Sequence, residues 1–176
     1  YSLISNLAAE CRMPLCYGGG VKTSHQVERI IGLGVEKVAL SSAAITMPAV
    51  ISDAAVRVGS QSVVVVLDAR KAEAPSRYEV FTHNATRRTG LEPAAFARQA
   101  AELGAGEVVV NSVDRDGGMQ GYDLELAEQV REATTLPLTV LGGAGSLADI
   151  EALIRRFGVI GAAAGSLFVF KGRFRA

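Results

Sequence analysis

The sequence predicts an α/β fold, six consecutive parallel β/α units of a closed (β/α)8 barrel. Three observations predict it. Strand and helix signals alternate along all 176 residues. Val63-Val64-Val65-Val66-Leu67 is an unbroken apolar run, the pattern of a strand covered on both faces. Two neighbouring units recur later in the chain at a fixed offset.

The elements follow in order. Ser2 to Cys11 carries Leu3, Ile4, Leu7 and Ala8 at helical spacing, so the chain opens inside a helix. Pro14 to Tyr17 reads as a strand that ends in Gly18-Gly19-Gly20. Thr23 or Ser24 caps a helix with Val27, Ile30 and Ile31 on one face, closed by Gly34. Lys37 to Leu40 is a strand ending at Ser41-Ser42. Pro48 opens a helix to about Arg57. The valine run ends at Asp68. Pro93 starts a helix with Phe96, Ala100 and Leu103 inward, and Val108 to Asn111 is the next strand. Asp123 caps a helix carrying Leu126 and Val130, and Leu136 to Leu141 is a strand ending in Gly142-Gly143. Ser146 caps a helix with Ile150, Leu153 and Ile154, and Gly161 to Ala164 is a last strand before Gly165-Ser166. Such alternation requires a parallel sheet with right-handed crossovers, either an open doubly wound sheet or a closed barrel.

The repeat decides between them. An offset of 123 residues lays Pro14-Leu15 on Pro137-Leu138, Gly19-Gly20 on Gly142-Gly143, Thr23 on Ser146 and Ile30-Ile31 on Leu153-Ile154. One inserted residue then lays Ser41-Ser42 on Gly165-Ser166. Recurrence four strands later is a half turn of an eight-stranded ring. The six units therefore read as strands three to eight of a truncated barrel, with residues 1–176 as one partial domain.

Composition bounds the function. Apolar residues make up 49% and aromatics 6%, so small aliphatics fill the interior. Eighteen basic and eighteen acidic side chains cancel, which argues against a nucleic-acid footprint or a polybasic membrane surface. No apolar run reaches the roughly 20 residues of a membrane span. Cys11 and Cys16 read as reduced, packed thiols of a cytosolic protein rather than a disulfide or metal pair. The absent initiator Met and the Lys171-Gly172-Arg173 ending suggest a piece of a longer chain.

Loops after barrel strands make the active face, and glycine there lets an anion reach backbone N–H groups. One candidate cradle is Gly20 with Ser41 and Ser42, and the matching one is Gly143 with Gly165 and Ser166. Two cradles suit a ligand with a phosphate at each end. Asp68 closes an apolar strand where catalytic side chains sit, and it is the candidate general acid or base. In Asp114-Arg115-Asp116-Gly117 one aspartate is placed to meet the ligand and the other to pair with Arg115. Between Asp68 and Pro93, Tyr78 to Thr82 reads as a short extra strand and His83 to Gly90 as a flexible turn, a lid or binding loop. His83 has no nucleophile or metal-ligand spacing around it.

Gly18-Gly19-Gly20, Leu67-Asp68-Ala69, Thr89-Gly90-Leu91, Asp114-Arg115-Asp116-Gly117, Gly121-Tyr122-Asp123 and Gly142-Gly143-Ala144-Gly145 occur in the order seen in the cyclase subunit of imidazole glycerol phosphate synthase. The chain resembles that family along nearly its whole length. The resemblance implies a TIM barrel of the ribulose-phosphate-binding type and a cytoplasmic lyase without a cofactor or metal. It implies closure of an imidazole ring on a bisphosphorylated ribulosyl-aminoimidazole, with ammonia delivered by a glutaminase subunit. It assigns Asp68 as one catalytic aspartate, with the other on a first strand that is not in these residues, so that this piece alone is inactive. It assigns Gly20, Ser41 and Ser42 to one phosphate, Asp116, Gly117, Gly143, Gly165 and Ser166 to the other, and Lys37 and Glu107 to the ammonia gate.

The chain departs from the family at Ser41-Ser42, where Asn-Thr is usual, at Gly118, where Thr is usual, at Arg70, where Lys is usual, and at Asn84-Ala85 in place of a Gly-Gly-like turn. These departures resemble a paralogous branch that serves amidation of bacterial surface-polysaccharide sugars, again with a glutaminase partner. A third reading is an inactive partial barrel that self-associates through two open sheet edges.

Overall fold

A computed structural model describes residues 1–72 and 77–170, and within these the chain divides into two compact units. Lys171-Gly172-Arg173 lies outside the described residues.

The first unit holds Tyr1–Val66 with Gln99–Val108. Its helices are α1 (Ser2–Glu10), α2 (Ser24–Ile31), α3 (Ser42–Thr46) and α4 (Ala49–Val58), and its strands β1 (Cys16–Gly18) and β2 (Lys37–Leu40). It also holds the first residues of β3 (Val63–Lys71) and of β6 (Glu107–Ser112). Strand order is β1-β2-β3-β6. β1 and β2 run parallel with Cys16 opposite Lys37 and Gly18 opposite Ala39, and β2 and β3 run parallel with Val38 opposite Val63. Val27, Ile30, Val38, Leu40, Ile51, Val63 and Val65 form the core, each 2% exposed or less. Thr23 caps α2 as foreseen: it accepts from Gln26 N while the Gln26 side chain reaches back to the Thr23 N–H.

The second unit holds Leu67–Arg98 and the chain from Val109 on. It contains the ends of β3 and β6, then β4 (Tyr78–Thr82), β5 (Arg87–Arg88), β7 (Leu138–Leu141) and β8 (Gly161–Ala162). Its helices are α6 (Leu124–Ala133), α7 (Leu147–Phe157) and α8 (Ser166–Phe170). Helix α5 (Pro93–Glu102) runs through the boundary in sequence between the two sets of residues. Strand order is β4-β3-β6-β7-β8, with β5 outside β4. β7 and β8 are parallel, with Val140 opposite Ala162. Asp123 and Ser146 cap α6 and α7 by accepting from Leu126 N and Asp149 N.

The six parallel strands and the alternating helices agree with the sequence reading. The differences are local. α3 is an additional turn of helix directly after β2. β3 continues past Asp68 to Lys71 because β4 pairs with it antiparallel, Asp68 opposite Phe81 and Lys71 opposite Tyr78. The predicted flexible turn from His83 is a tight hairpin into β5, with Phe81 opposite Arg88. His83, Asn84 and Ala85 all adopt positive φ, 55°, 55° and 58°. This conformation favours glycine, and the resemblance places a Gly-Gly-like turn here. Cys16 is exposed rather than packed, on the outermost strand β1. Of the α1 stripe only Ile4 is buried, and on α7 Ile154 is 47% exposed.

Candidate active site and anion cradles

Asp68 lies on the last turn-ward stretch of β3, and its Oδ1 accepts from Asn111 Nδ2 at 2.9 Å. Asn111 ends β6, the neighbouring strand, and is 8% exposed. With its amide N–H2 turned to the carboxylate, its Oδ1 is buried with no hydrogen-bond partner among the described residues. An amide fixed in this way holds the Asp68 carboxylate in one orientation, as a group that must meet a substrate proton requires. Asn111 was not singled out by sequence. A lone asparagine in an apolar strand has no motif, and only its 43-residue link to Asp68 gives it a role.

Gly142 lies against this pair. A Cβ there would stand 2.5 Å from the Ser112 carbonyl oxygen and 3.0 Å from Asn111 Oδ1. The strand ends around the second cradle therefore touch backbone to backbone. Gly143 has φ +103°, its carbonyl accepts from Gly121 N at 2.8 Å, and a Cβ would meet the Gly121 oxygen at 2.1 Å. Asp116, Gly117, Gly143, Gly165 and Ser166, all assigned to one phosphate, line a single hollow with Ala144, Ala163 and Ala164. The hollow is small, about 10 Å³, the room for one water-sized group, so an anion would rest at its mouth. The Tyr122 hydroxyl braces its wall by donating to Ala163 O at 2.9 Å. Burial, and then Asp149, push that phenol above its ordinary pKa and keep it a donor. Asp149 Oδ2 accepts from Gly145 N at 3.0 Å and Ser146 Oγ at 2.8 Å, which fixes the turn that follows.

In the first unit, Gly18 pairs with Ala39, and Gly20 and Ser41 each follow two residues after that pair. Gly20 has φ +73° and open space where a Cβ would stand. Ser41 precedes α3, its carbonyl accepting from Ile45 N at 3.2 Å, and Ser42 begins the helix. A cavity of about 310 Å³ reaches Gly20 between Tyr17, Val21 and Gln26. Ser41 and Ser42 do not line it. At the opposite, N-terminal ends of their strands, Lys37 Nζ and Glu107 Oε2 form an ion pair of 2.5 Å. The Cys16 thiol beside them is pushed up by partial burial of the sulfur and by Glu107, against the pull of Lys37.

The Asp114-Arg115-Asp116-Gly117 loop is wired differently from the expectation. Asp114 pairs with Arg70, not Arg115: its Oδ1 accepts Arg70 Nε at 2.9 Å and its Oδ2 accepts Lys71 N at 2.8 Å. Arg115 turns back to Gly121 O at 3.1 Å and to Asp123 at 3.7 Å. Asp123 is a buried hub that also accepts from the Tyr78 hydroxyl at 2.8 Å and Ser112 Oγ at 3.3 Å. His83 Nδ1 lies 3.0 Å from the hydroxyl of its neighbour Thr82.

The histidine biosynthesis protein family profile matches residues 1–175. The chain belongs to this family. A relative from Leptospira interrogans, provisionally named imidazole glycerol phosphate synthase subunit HisF, is 54% identical over all 176 residues, which cover 69% of its length. Relatives from Vibrio vulnificus and Pseudomonas aeruginosa, provisionally named subunits hisF3 and hisF2 of the same synthase, are 51% and 45% identical over the whole chain and are covered to 68% and 70%. Membership accounts for the alternating parallel β/α units as part of a (β/α)8 barrel. Among the described residues no helix is long and apolar enough to cross a membrane.

Proposed function

We propose that this chain is part of an ammonia-dependent cyclase, a lyase subunit of imidazole glycerol phosphate synthase working in the cytoplasm, with residues 1–176 as one partial barrel domain. In this reading the glycine cradles hold the phosphates of a ribulosyl-aminoimidazole-carboxamide substrate. A glutaminase subunit supplies ammonia past Lys37 and Glu107. Asp68 moves protons as the imidazole ring closes, and imidazole glycerol phosphate and aminoimidazole carboxamide ribotide leave.

The observation that carries the reading is the Asp68–Asn111 bond. A carboxylate at a strand end, fixed by a buried amide, is a preorganised acid–base group. The hollow lined by all five residues assigned to one phosphate supports an anion beside it.

Complementation of a histidine auxotroph by the full-length gene tests the reading. Rescue is expected, and its loss in Asp68→Asn. The 176-residue chain alone is expected not to turn over with ammonia as donor, because the resemblance puts the second aspartate outside these residues. Turnover by it would refute that point. Ser41-Ser42 and Gly118 favour a second reading, a paralogue supporting amidation of a surface-polysaccharide sugar with its own glutaminase. Failure to complement despite good expression is its expected outcome.

A further inference from the structure

The loop that follows β6 is strained, and one side chain closes it. Along residues 115–121 the backbone turns through positive φ at Gly117 (74°), Met119 (53°) and Gly121 (88°). Two of these are glycines, but Met119 carries a Cβ, which disfavours that conformation. A loop of this shape persists only where its surroundings hold it. Asp116 and Gly117, the first residues after Arg115, line the anion hollow.

Arg115 stands at the start of the loop and reaches its end. Nη1 donates to the carbonyls of Gln120 and Gly121, at 3.4 and 3.1 Å. The Gly121 N–H in turn donates to Gly143 O at 2.8 Å, which ties the closed loop to another residue of the hollow. The stem of Arg115 lies beside the same glycine, since a Cβ built on Gly143 would stand 3.2 Å from Arg115 Cβ. Asp123 seats the guanidinium, with Oδ2 at 3.7 Å from Nε. Asp123 is 3% exposed and accepts from the Tyr78 hydroxyl, Ser112 Oγ and the Leu126 N–H. A buried carboxylate held by three donors is a firm seat for a cation. Arg115 itself does not line the hollow, so it acts on an anion only through the loop that does.

We propose that Arg115 is a positioning residue for the anion hollow. Its guanidinium staples the two ends of loop 115–121 and so keeps Asp116 and Gly117 at the mouth where a phosphate would rest. A planar fork meets a carbonyl with one nitrogen and a carboxylate with another, whereas a lysine ammonium is a single point that serves one of them at a time. This role presupposes the phosphate reading of the hollow and is the same whichever phosphorylated molecule binds there.

The test titrates the full-length protein with inorganic phosphate and follows the backbone amide resonances of Gly165 and Ser166, which line the hollow but lie outside the loop. Peak positions report the affinity of the folded protein, so a loss of stability alone does not move them. Arg115→Gln is expected to weaken phosphate binding about tenfold, the scale of one charge-assisted hydrogen bond. Arg115→Lys, which keeps the charge but not the fork, is expected to lose most of the same affinity, and it decides the matter if Arg115→Gln does not fold. Tyr78→Phe removes one bond to Asp123 and leaves both ends of the loop stapled, so it is expected to cost stability and keep the affinity. Unchanged affinity in Arg115→Gln, full affinity in Arg115→Lys, or an equal loss in Tyr78→Phe would each overturn the proposal while leaving the hollow a phosphate site. No saturation by the unaltered protein would overturn the phosphate reading of the hollow, and the proposal with it.

Discussion

Gly143 is the position where the account is most exposed, because the structure fixes the cost of a single methyl group. In Gly143→Ala the new Cβ would stand 2.1 Å from the Gly121 carbonyl oxygen and 3.2 Å from Arg115 Cβ. Backbone and side chain must part by about 1 Å or more to restore ordinary contact, since carbon and oxygen prefer about 3.5 Å. That movement breaks the 2.8 Å bond from Gly121 N to Gly143 O. Its loss costs about 1 kcal/mol. A φ of +103° burdens any residue with a Cβ, by about 1–2 kcal/mol. Overpacking adds about 1–3 kcal/mol. Together the loss is about 3–6 kcal/mol, a large part of the stability of an ordinary domain. Urea unfolding followed by circular dichroism should show the midpoint lowered by about 1.5 M or more. Gly165→Ala is the control. Its Cβ meets nothing within 4 Å and its φ is not positive, so stability should change by less than about 0.5 kcal/mol while phosphate binding at the hollow weakens. A Gly143→Ala chain within about 1 kcal/mol of the unaltered one would refute the backbone-contact reasoning.

Other outcomes follow from single contacts. Tyr78→Phe removes the buried bond to Asp123 and should cost about 1–2 kcal/mol by urea unfolding, with no effect if the hub is dispensable. The pair Arg88–Glu79, and then Gly90 N–H, hold the Glu79 carboxyl below its usual range. Its stabilising effect is present above the unfolded-state value of about 4.3 and is lost as pH falls through the lower folded value. Glu79→Gln should therefore flatten the acid limb of stability against pH, and an unchanged limb would contradict the pairing. Asn111→Leu, measured in the ammonia-dependent reaction of the gene product, should lower kcat about tenfold or more with KM little changed, since only the orientation of Asp68 is lost. Unchanged kcat would remove Asn111 from the site.

What the sequence made legible was local. Thr23, Asp123 and Ser146 were readable as caps because a cap bonds its own helix three residues on. The valine run stood out because burial on both faces selects branched aliphatics. α3 was hidden because five residues show no period. β5 was hidden because it is two exposed residues, Arg87–Arg88, too short to show an alternation, inside a stretch that reads as a turn. Long-range pairs were illegible in principle. Asp114 sits beside Arg115 in sequence, yet its cation is Arg70, 44 residues away. Asn111 gained meaning only when β6 was set next to β3. The exception is the set Asp116, Gly117, Gly143, Gly165 and Ser166, which line one hollow, whereas Ser41 and Ser42 do not line the cavity at Gly20.

The most direct test measures imidazole glycerol phosphate formed from the bisphosphorylated substrate and ammonia by the product of the full-length gene, unaltered and as Asp68→Asn. The account predicts turnover by the unaltered protein and a fall in kcat of about 10²-fold or more in the variant, the scale of a lost acid–base group, with both equally folded. Turnover within a few-fold of the unaltered protein in Asp68→Asn would contradict it.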